Sequence, residues 1–378
     1  MKFWSIWMAA ALVLAGCDPR QVDSSEQVDA FLSQGRLSAI CVALNNHNDD
    51  KLREYATRKL VPNLADPVAS DCICKGVYRP QYNEIDESVG RGIEGSGSDA
   101  LAACVAPALD NPSFDEEKRI TTISVLAGMN APRAYKILGG LLEKDESAKI
   151  REMAAKGLIR ARDDYQALLL EKLGNDSAPE VRAAIAEGME RVKDEVVVTA
   201  LLKALHEDKD GGVRAAALKS VVKLRLDETD KMVCDAMMND LDERVRDQAV
   251  RSFRGSKRSV AIQCLKNRLY AKEESTKVRA STLTALGRSP SDEAALVLCH
   301  AIGPFLRMYV VDGIAERLPA VNIIETQNNR DFERSYECVE KAIRQGGYSC
   351  YARNHLGQWM NELGGKAATP WCPGMVKE

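Results

Sequence analysis

Cysteines and histidines carry the most chemistry in this 378-residue chain, eleven of the first and four of the second. A thiolate can attack an electrophile, exchange disulfides or ligate a metal. A histidine can move protons near neutral pH or bind a metal. Spacing decides which of these is open. His47, His206, His300 and His355 are scattered, and no two stand at HxxxH spacing. The cysteines come close only at Cys72-Ile73-Cys74, with no CxxC. Side chains two apart diverge, so this pair does not easily bridge to itself. There is no GxSxG, no P-loop and no strand-borne GxGxxG, and Gly95-Ser96-Gly97-Ser98 reads as a flexible loop. The residue types therefore assign no catalytic residue, metal ligand or cofactor, and the chain is expected not to be an enzyme.

The first residues ask for a different chemistry. Lys2 precedes an apolar run from Phe3 to Leu14, and small residues follow. That is the layout of a secretory signal peptide. The run is shorter than the roughly 20 residues that cross a bilayer. Leu14-Ala15-Gly16-Cys17 resembles the lipobox of bacterial lipoproteins. The resemblance implies cleavage after residue 16, two or three acyl chains on Cys17, and a membrane attachment made by lipid alone. It implies a cell-envelope protein facing the periplasm. Asp18 adds a slight preference for the inner membrane. Residues 17–28 are polar and read as a tether of roughly 35 Å when fully extended.

Composition narrows the partners. The formal net charge is −3, and loss of Lys2 makes it −4, with both signs interspersed. Aromatic residues are 5%. Neither phosphate neutralisation nor base stacking is provided for, so no nucleic acid is expected. Apart from Cys17, ten cysteines remain: Cys41, Cys72, Cys74, Cys104, Cys234, Cys264, Cys299, Cys338, Cys350 and Cys372. An even number in an exported chain reads as disulfides, at least three of them. Four thiolates near residue 72 would also suit zinc, but the spacing and the oxidising location argue against it.

The elements that position these residues come from a repeat. An aliphatic residue is followed by Arg and, at the ninth place, by another apolar residue. The pattern starts at Ile150-Arg151, Val181-Arg182, Val213-Arg214, Val245-Arg246 and Val278-Arg279, at steps of 31, 32, 32 and 33 residues. Weaker copies begin at Leu52-Arg53, Lys118-Arg119, Leu306-Arg307 and Ala352-Arg353. Apolar residues at the first, fifth, eighth and ninth places share one face of a helix. A second helical pattern precedes each copy, as in Asp164 to Leu173, Glu195 to His206, Asp230 to Asn239 and Arg258 to Lys272. An acid stands five places before each aliphatic residue: Asp145, Asp176, Asp208, Asp240 and Glu273. There it meets the free N–H groups and positive dipole end of the second helix. Arg151, Arg182, Arg214, Arg246 and Arg279 can reach the acid of their own or a neighbouring turn, giving a structural ladder.

Asp176…Val181-Arg182…Met189 and its copies resemble the HEAT-repeat family, particularly its short-period branch similar to phycobilisome-lyase-like proteins. The resemblance implies an all-α solenoid of stacked antiparallel helix pairs, a HEAT/ARM-like superhelix whose second helices line the concave side. Such pairs must stack to bury their apolar stripes. Residues 29–117 read as an irregular HEAT-like region with a Cys-rich loop insertion near 66–97, 118–320 as regular repeats, and 321–378 as capping helices with a tail. Within this frame Cys72 and Cys74 pair with Cys41 and Cys104, Cys234 with Cys264, and Cys299 with Cys338. Cys350 and Cys372 latch the tail, where Trp359 and Trp371 cover the end of the stack. Two enzyme types carry repeats of this kind. Deoxyhypusine hydroxylases hold iron with repeated His-Glu pairs, and this chain has only His206-Glu207. Bilin lyases share the repeat but offer no motif to match.

The expected function is a lipid-anchored envelope scaffold that holds a protein partner on the concave face. Its candidate contacts are Lys219, Lys223, Arg251, Arg254, Arg258 and Glu187. The alternative is an enzyme or redox carrier using Cys72 and Cys74, or a remote bilin-lyase-like activity.

Overall fold

The computed structural model describes residues 22–298, apart from 47–48, 80–83, 191, 227, 292 and 295. The signal segment, Cys17, the repeat copies at Leu306-Arg307 and Ala352-Arg353, and Cys299, Cys338, Cys350 and Cys372 lie outside the described residues. So do His47, His300, His355, Trp359 and Trp371.

Each helix follows from its local sequence. Helix α9 (Ala148–Leu158) shows the logic. Ser147 caps its start, its Oγ accepting from the Ile150 N–H at 3.3 Å. Ile150, Ala154, Gly157 and Leu158, at the first, fifth, eighth and ninth places, are buried. In α13 (Gly211–Leu224) Asp210 is the cap, and Val213, Ala217, Ser220 and Val221 are the buried set. In α15 (Glu243–Ser252) Asp242 is the cap, and Val245, Ala249 and Phe253 are buried. Each large aliphatic side chain so hidden contributes roughly 1.5–3 kcal/mol.

The chain divides between Met189 and Glu190 into two compact units. In unit 1, α1 (Ser25–Ser33) leads into five pairs. These are α2 (Leu37–Asn46) with α3 (Asp50–Leu60), then α4 (Pro67–Val77) with α5 (Glu87–Gly92), and α6 (Asp99–Val105) with α7 (Glu116–Gly128). Helix α8 (Pro132–Lys144) pairs with α9, and α10 (Arg162–Asn175) with α11 (Pro179–Gly188). First helices pack on first helices and second on second, as in α2 on α4 on α6 and α7 on α9 on α11. In unit 2 the pairs are α12 (Glu195–Glu207) with α13, α14 (Thr229–Asn239) with α15, and α16 (Ser259–Leu269) with α17 (Thr276–Gly287). There α13, α15 and α17 stack in turn, and α14 packs on α16. Both units are two-layer α-solenoid stacks.

Three sequence expectations are corrected. Residues 66–97 are not a loop insertion but the pair α4/α5, with a small antiparallel ribbon, β1 (Tyr78–Arg79) and β2 (Glu84–Ile85), where the pairs from α8/α9 onward have a short turn. The glycine run there is packing surface, because α5 is short and lies close to its neighbours. A Cβ on Gly90 would come within 2.6 Å of Val125 Cγ2, and one on Gly92 would strike Thr57. Gly95, at φ +80, donates its N–H to Gly128 O at 2.8 Å, and Asn130 N–H donates to Ser96 O at 2.9 Å, so this loop is fixed. The tether is also shorter than residues 17–28. Ser24 caps α1, and Val28 and Phe31 are buried on it.

Candidate functional site

The acids of the ladder occupy the turn from first to second helix. Asp176 ends α10 and accepts the Ala178 N–H at 2.9 Å. Arg151, one repeat earlier on α9, donates to both its oxygens at 2.9 Å from Nε and Nη2. Arg151 Nη1 also donates to the carbonyls of Asp145 and Glu146 in its own turn. One guanidinium thus satisfies its own turn's backbone and the next turn's carboxylate. Burial alone would raise the Asp176 carboxyl, but the Arg151 guanidinium and the Ala178 N–H outweigh it and hold it below the usual carboxylate range. Arg119 pairs with Asp145 one repeat on, through Nη2 alone. In unit 2, Arg214 grips Asp240 at 2.8 and 2.7 Å while bonding the carbonyls of Asp208 and Lys209. Arg182 donates to Asp176 O at 2.7 Å, within unit 1.

Glu273 is not the last acid of the series. Arg246 grips Glu274 at 2.9 Å with both Nε and Nη2, and Glu273 is exposed. The step into this repeat is the longest, so the turn is shifted by one residue. Glu274 also receives Arg268 at 2.8 Å, and Arg268 in turn caps α14 through the carbonyls of Met237 and Met238. Arg279 donates to the carbonyls of Ala271 and Lys272. Sequence reading missed a second acid. Asp86, the buried cap of α5, takes Arg53 at 3.0 Å and Arg79 at 2.8 Å. The signal was present as Arg53 at the repeat position with an acid 33 residues on.

The cysteines cross-link first helices. Cys41 on α2 joins Cys72 on α4, Cys74 on α4 joins Cys104 on α6, and Cys234 on α14 joins Cys264 on α16. Their Cα atoms are 5.5, 5.4 and 5.7 Å apart, within the usual disulfide range. The CxC pair works because its members reach opposite neighbours, one helix back and one forward.

The second helices also present a free face, and the first helices α2 and α4 carry a separate groove of about 540 Å³ beside the Cys41–Cys72 link. In unit 1 the second-helix face forms an open groove of about 560 Å³ over α5, α7 and α9. Small residues dominate its lining: Gly90, Thr121, Ser124, Ala127, Gly128 and Gly157, with Ile120, Val125 and Met153 among them. Glu87, Arg91, Glu94, Lys156 and Arg160 add charge of both signs. Arg160 answers Glu94 at 3.6 Å, and Arg91 answers Glu54 at 2.9 Å. In unit 2 the corresponding helices carry Lys219 and Lys223 on α13 and Arg251 on α15. Lys223 pairs with Glu190, and Arg251 with the largely buried Asp247 at 2.9 Å. Arg254 and Arg258 belong to the connector after α15 instead, Arg258 just before α16, where it pairs with Asp230 at 2.5 Å. Glu187 lies on α11 of unit 1. His206 is an exposed residue of α12, and among the described residues no His, Cys, Asp and Glu side chains gather in threes as metal ligands.

Comparison with known proteins agrees with the repeat. The profile of the family described as HEAT repeats matches residues 166–254. No curated protein sequence matches the chain. Among solved structures, the chain is similar to YibA of E. coli, at 16% identity over 82% of this chain and 99% of that one, with a TM-score of 0.38. It is also similar to human deoxyhypusine hydroxylase in complex with glycerol, at 15% identity over 69% and 98%, with a TM-score of 0.29. The chain is an all-α protein of stacked, solenoid-forming helix pairs with HEAT repeats across residues 166–254.

Proposed function

We propose that this protein is a non-catalytic scaffold of the cell envelope, held to its membrane by lipid on Cys17, and that it grips a protein partner on the free face of its second helices. The observation that carries this reading is the groove of unit 1. Small residues on α5, α7 and α9 keep its floor open, and charged residues border it. Open faces of stacked repeats are the usual binding surfaces of such folds. In unit 2 the same layer carries Lys219, Lys223 and Arg251, with Lys223 paired to Glu190 and Arg251 to Asp247, a mixed-charge face that a partner with charges of both signs would match. The cysteines that a redox carrier would use are engaged in two helix-to-helix cross-links, which supports a structural role for them. Nucleic acid has no place in this reading. The test is affinity capture from envelope extracts of the native host. Reversing Lys219, Lys223 and Arg251 to Glu is expected to remove a specific protein from the captured set. An unchanged set rejects this face.

A further inference from the structure

In unit 2, each second helix ends in a connector that carries a cation. Arg225 follows α13, Arg254 and Lys257 follow α15, and Arg288 follows α17. All four are exposed, and none has a side-chain partner among the described residues. The connectors lie against one another. Arg258 reaches from the start of α16 to Asp230 on α14, and Ser289 Oγ donates to Ser256 O at 2.6 Å. The cations therefore form one row along one edge, at the roughly 8–10 Å repeat of packed helices. Of the acids beside the row, Asp230 is engaged by Arg258 and Glu228 meets Lys231 at 3.8 Å, while Glu293, five residues after Arg288, has no cation partner among the described residues. Asp227 lies outside the described residues. The matching connectors of unit 1 behave otherwise, since Arg160 there is consumed by Glu94 and by Gly128 O.

Exposed apolar side chains follow these connectors in the chain. Val260, second residue of α16, is 56% exposed, and Leu296, just beyond the connector of Arg288, is 61% exposed. Between the cations the chain is Gly255, Ser256, Ser289 and Pro290. A protein interface centres on a large anchor seated in a pocket. This edge has a row of long cations and small apolar tips instead. That combination suits a bilayer, where guanidinium and ammonium groups lie among anionic headgroups and short apolar side chains enter just above the acyl boundary. From this charge complementarity we infer that the connector edge of unit 2 rests on an anionic phospholipid surface. The inference stands apart from partner binding on the second-helix face, because Arg254 and Arg258 belong to the connector and not to that face.

The full chain would be mixed with vesicles of phosphatidylcholine alone and of phosphatidylcholine with phosphatidylglycerol. Any attachment through the N-terminus acts on both, so the ratio of the two partition coefficients isolates the electrostatic part. Each cation at an anionic surface is worth roughly fivefold. The combined Arg225→Gln, Lys257→Gln and Arg288→Gln variant is expected to lower the ratio on the order of a hundredfold, and high salt to do the same to the wild type. Circular dichroism would check the fold, and Lys257→Gln alone, at an exposed loop residue, is expected to give roughly fivefold. A wild-type ratio near one, or a ratio that both variants leave unchanged, overturns membrane docking. Loss of a protein cross-link in host cells carrying the same variants, with the vesicle ratio unchanged, overturns it too and would mark the edge as a protein-docking surface. The purified system contains no protein partner, so failure here leaves the scaffold reading to its own test.

Discussion

Removing Arg214 should cost far more than its place near the surface suggests. Its Nε and Nη2 donate to Asp240 at 2.8 and 2.7 Å, and its Nη1 donates to Asp208 O at 2.9 Å and Lys209 O at 3.3 Å. The two side chains are only 16% and 12% exposed. In Arg214→Ala, Asp240 keeps the Asp242 N–H at 2.8 Å but loses its countercharge. Hydrogen bonds to charged groups are worth about 1.5–3 kcal/mol each. Breaking a buried pair costs about 3–5 kcal/mol, and partial exposure puts this one at the low end, about 3 kcal/mol. Asp240→Leu with Arg214→Met should cost less than the sum of the single changes, with a coupling of about 1.5–2 kcal/mol. Arg244 is the control. It also meets two carboxylates, Asp242 at 2.8 Å and Asp210 at 3.1 Å, but its side chain is 53% exposed. Arg244→Ala should cost under about 1 kcal/mol. Urea unfolding followed by circular dichroism gives the overall loss. Hydrogen exchange of α13 and α15 amides gives the local one, because stacked repeats open piecewise. Equal losses for the two arginines, or less than about 0.5 kcal/mol for Arg214→Ala, would refute the ladder as a stabilising device.

Other expectations follow from the same geometry. The Cys234–Cys264 link closes a separation of 30 residues, so replacing both by Ser should destabilise unit 2 by about 3.5 kcal/mol under oxidising conditions, read from urea midpoints. No difference from the wild type under those conditions would mean the link does not form. A Cβ on Gly157 would come within 2.7 Å of Ala127 Cβ and 2.8 Å of Leu138 Cδ1, so Gly157→Val should cost about 1–3 kcal/mol by overpacking, while Gly140→Val, with open space around it, should fall well below that. Arg244 hydrogen bonds depress Asp242 to about 2, and Asp176 and Glu274 are also held low. Carboxylates depressed on folding add stability above their unfolded values and lose it as pH falls through the folded ones. Urea midpoints should therefore drop as pH falls from about 4, and Asp176→Asn, at the buried carboxylate held by Arg151, should flatten that fall more than Asp242→Asn, whose partner Arg244 is largely exposed.

The repeat, its period and the pairing of Arg with a turn acid were legible because each depends on residues at fixed spacing. Cysteine partners on consecutive first helices were legible for the same reason, each link spanning about one period. Glu274 was missed because one extra residue in a turn moves the acid without disturbing the helix pattern. The pair α4/α5 was hidden because Gly90 replaces the repeat arginine and a ribbon lengthens the turn. The groove had no signature at all. It arises from small residues on α5, α7 and α9, far apart in sequence, that only stacking brings together. The connector edge was similarly scattered, its cations 29 to 34 residues apart and outside the helix pattern that organises the rest.

Lysine-specific cross-linking in intact cells of the native host tests the working surface most directly. Links to the bound protein are expected at Lys156, Lys219 and Lys223, on the second helices. Links confined to Lys136, Lys203 and Lys266, on the first helices, would put the partner on the opposite layer and contradict the proposed site.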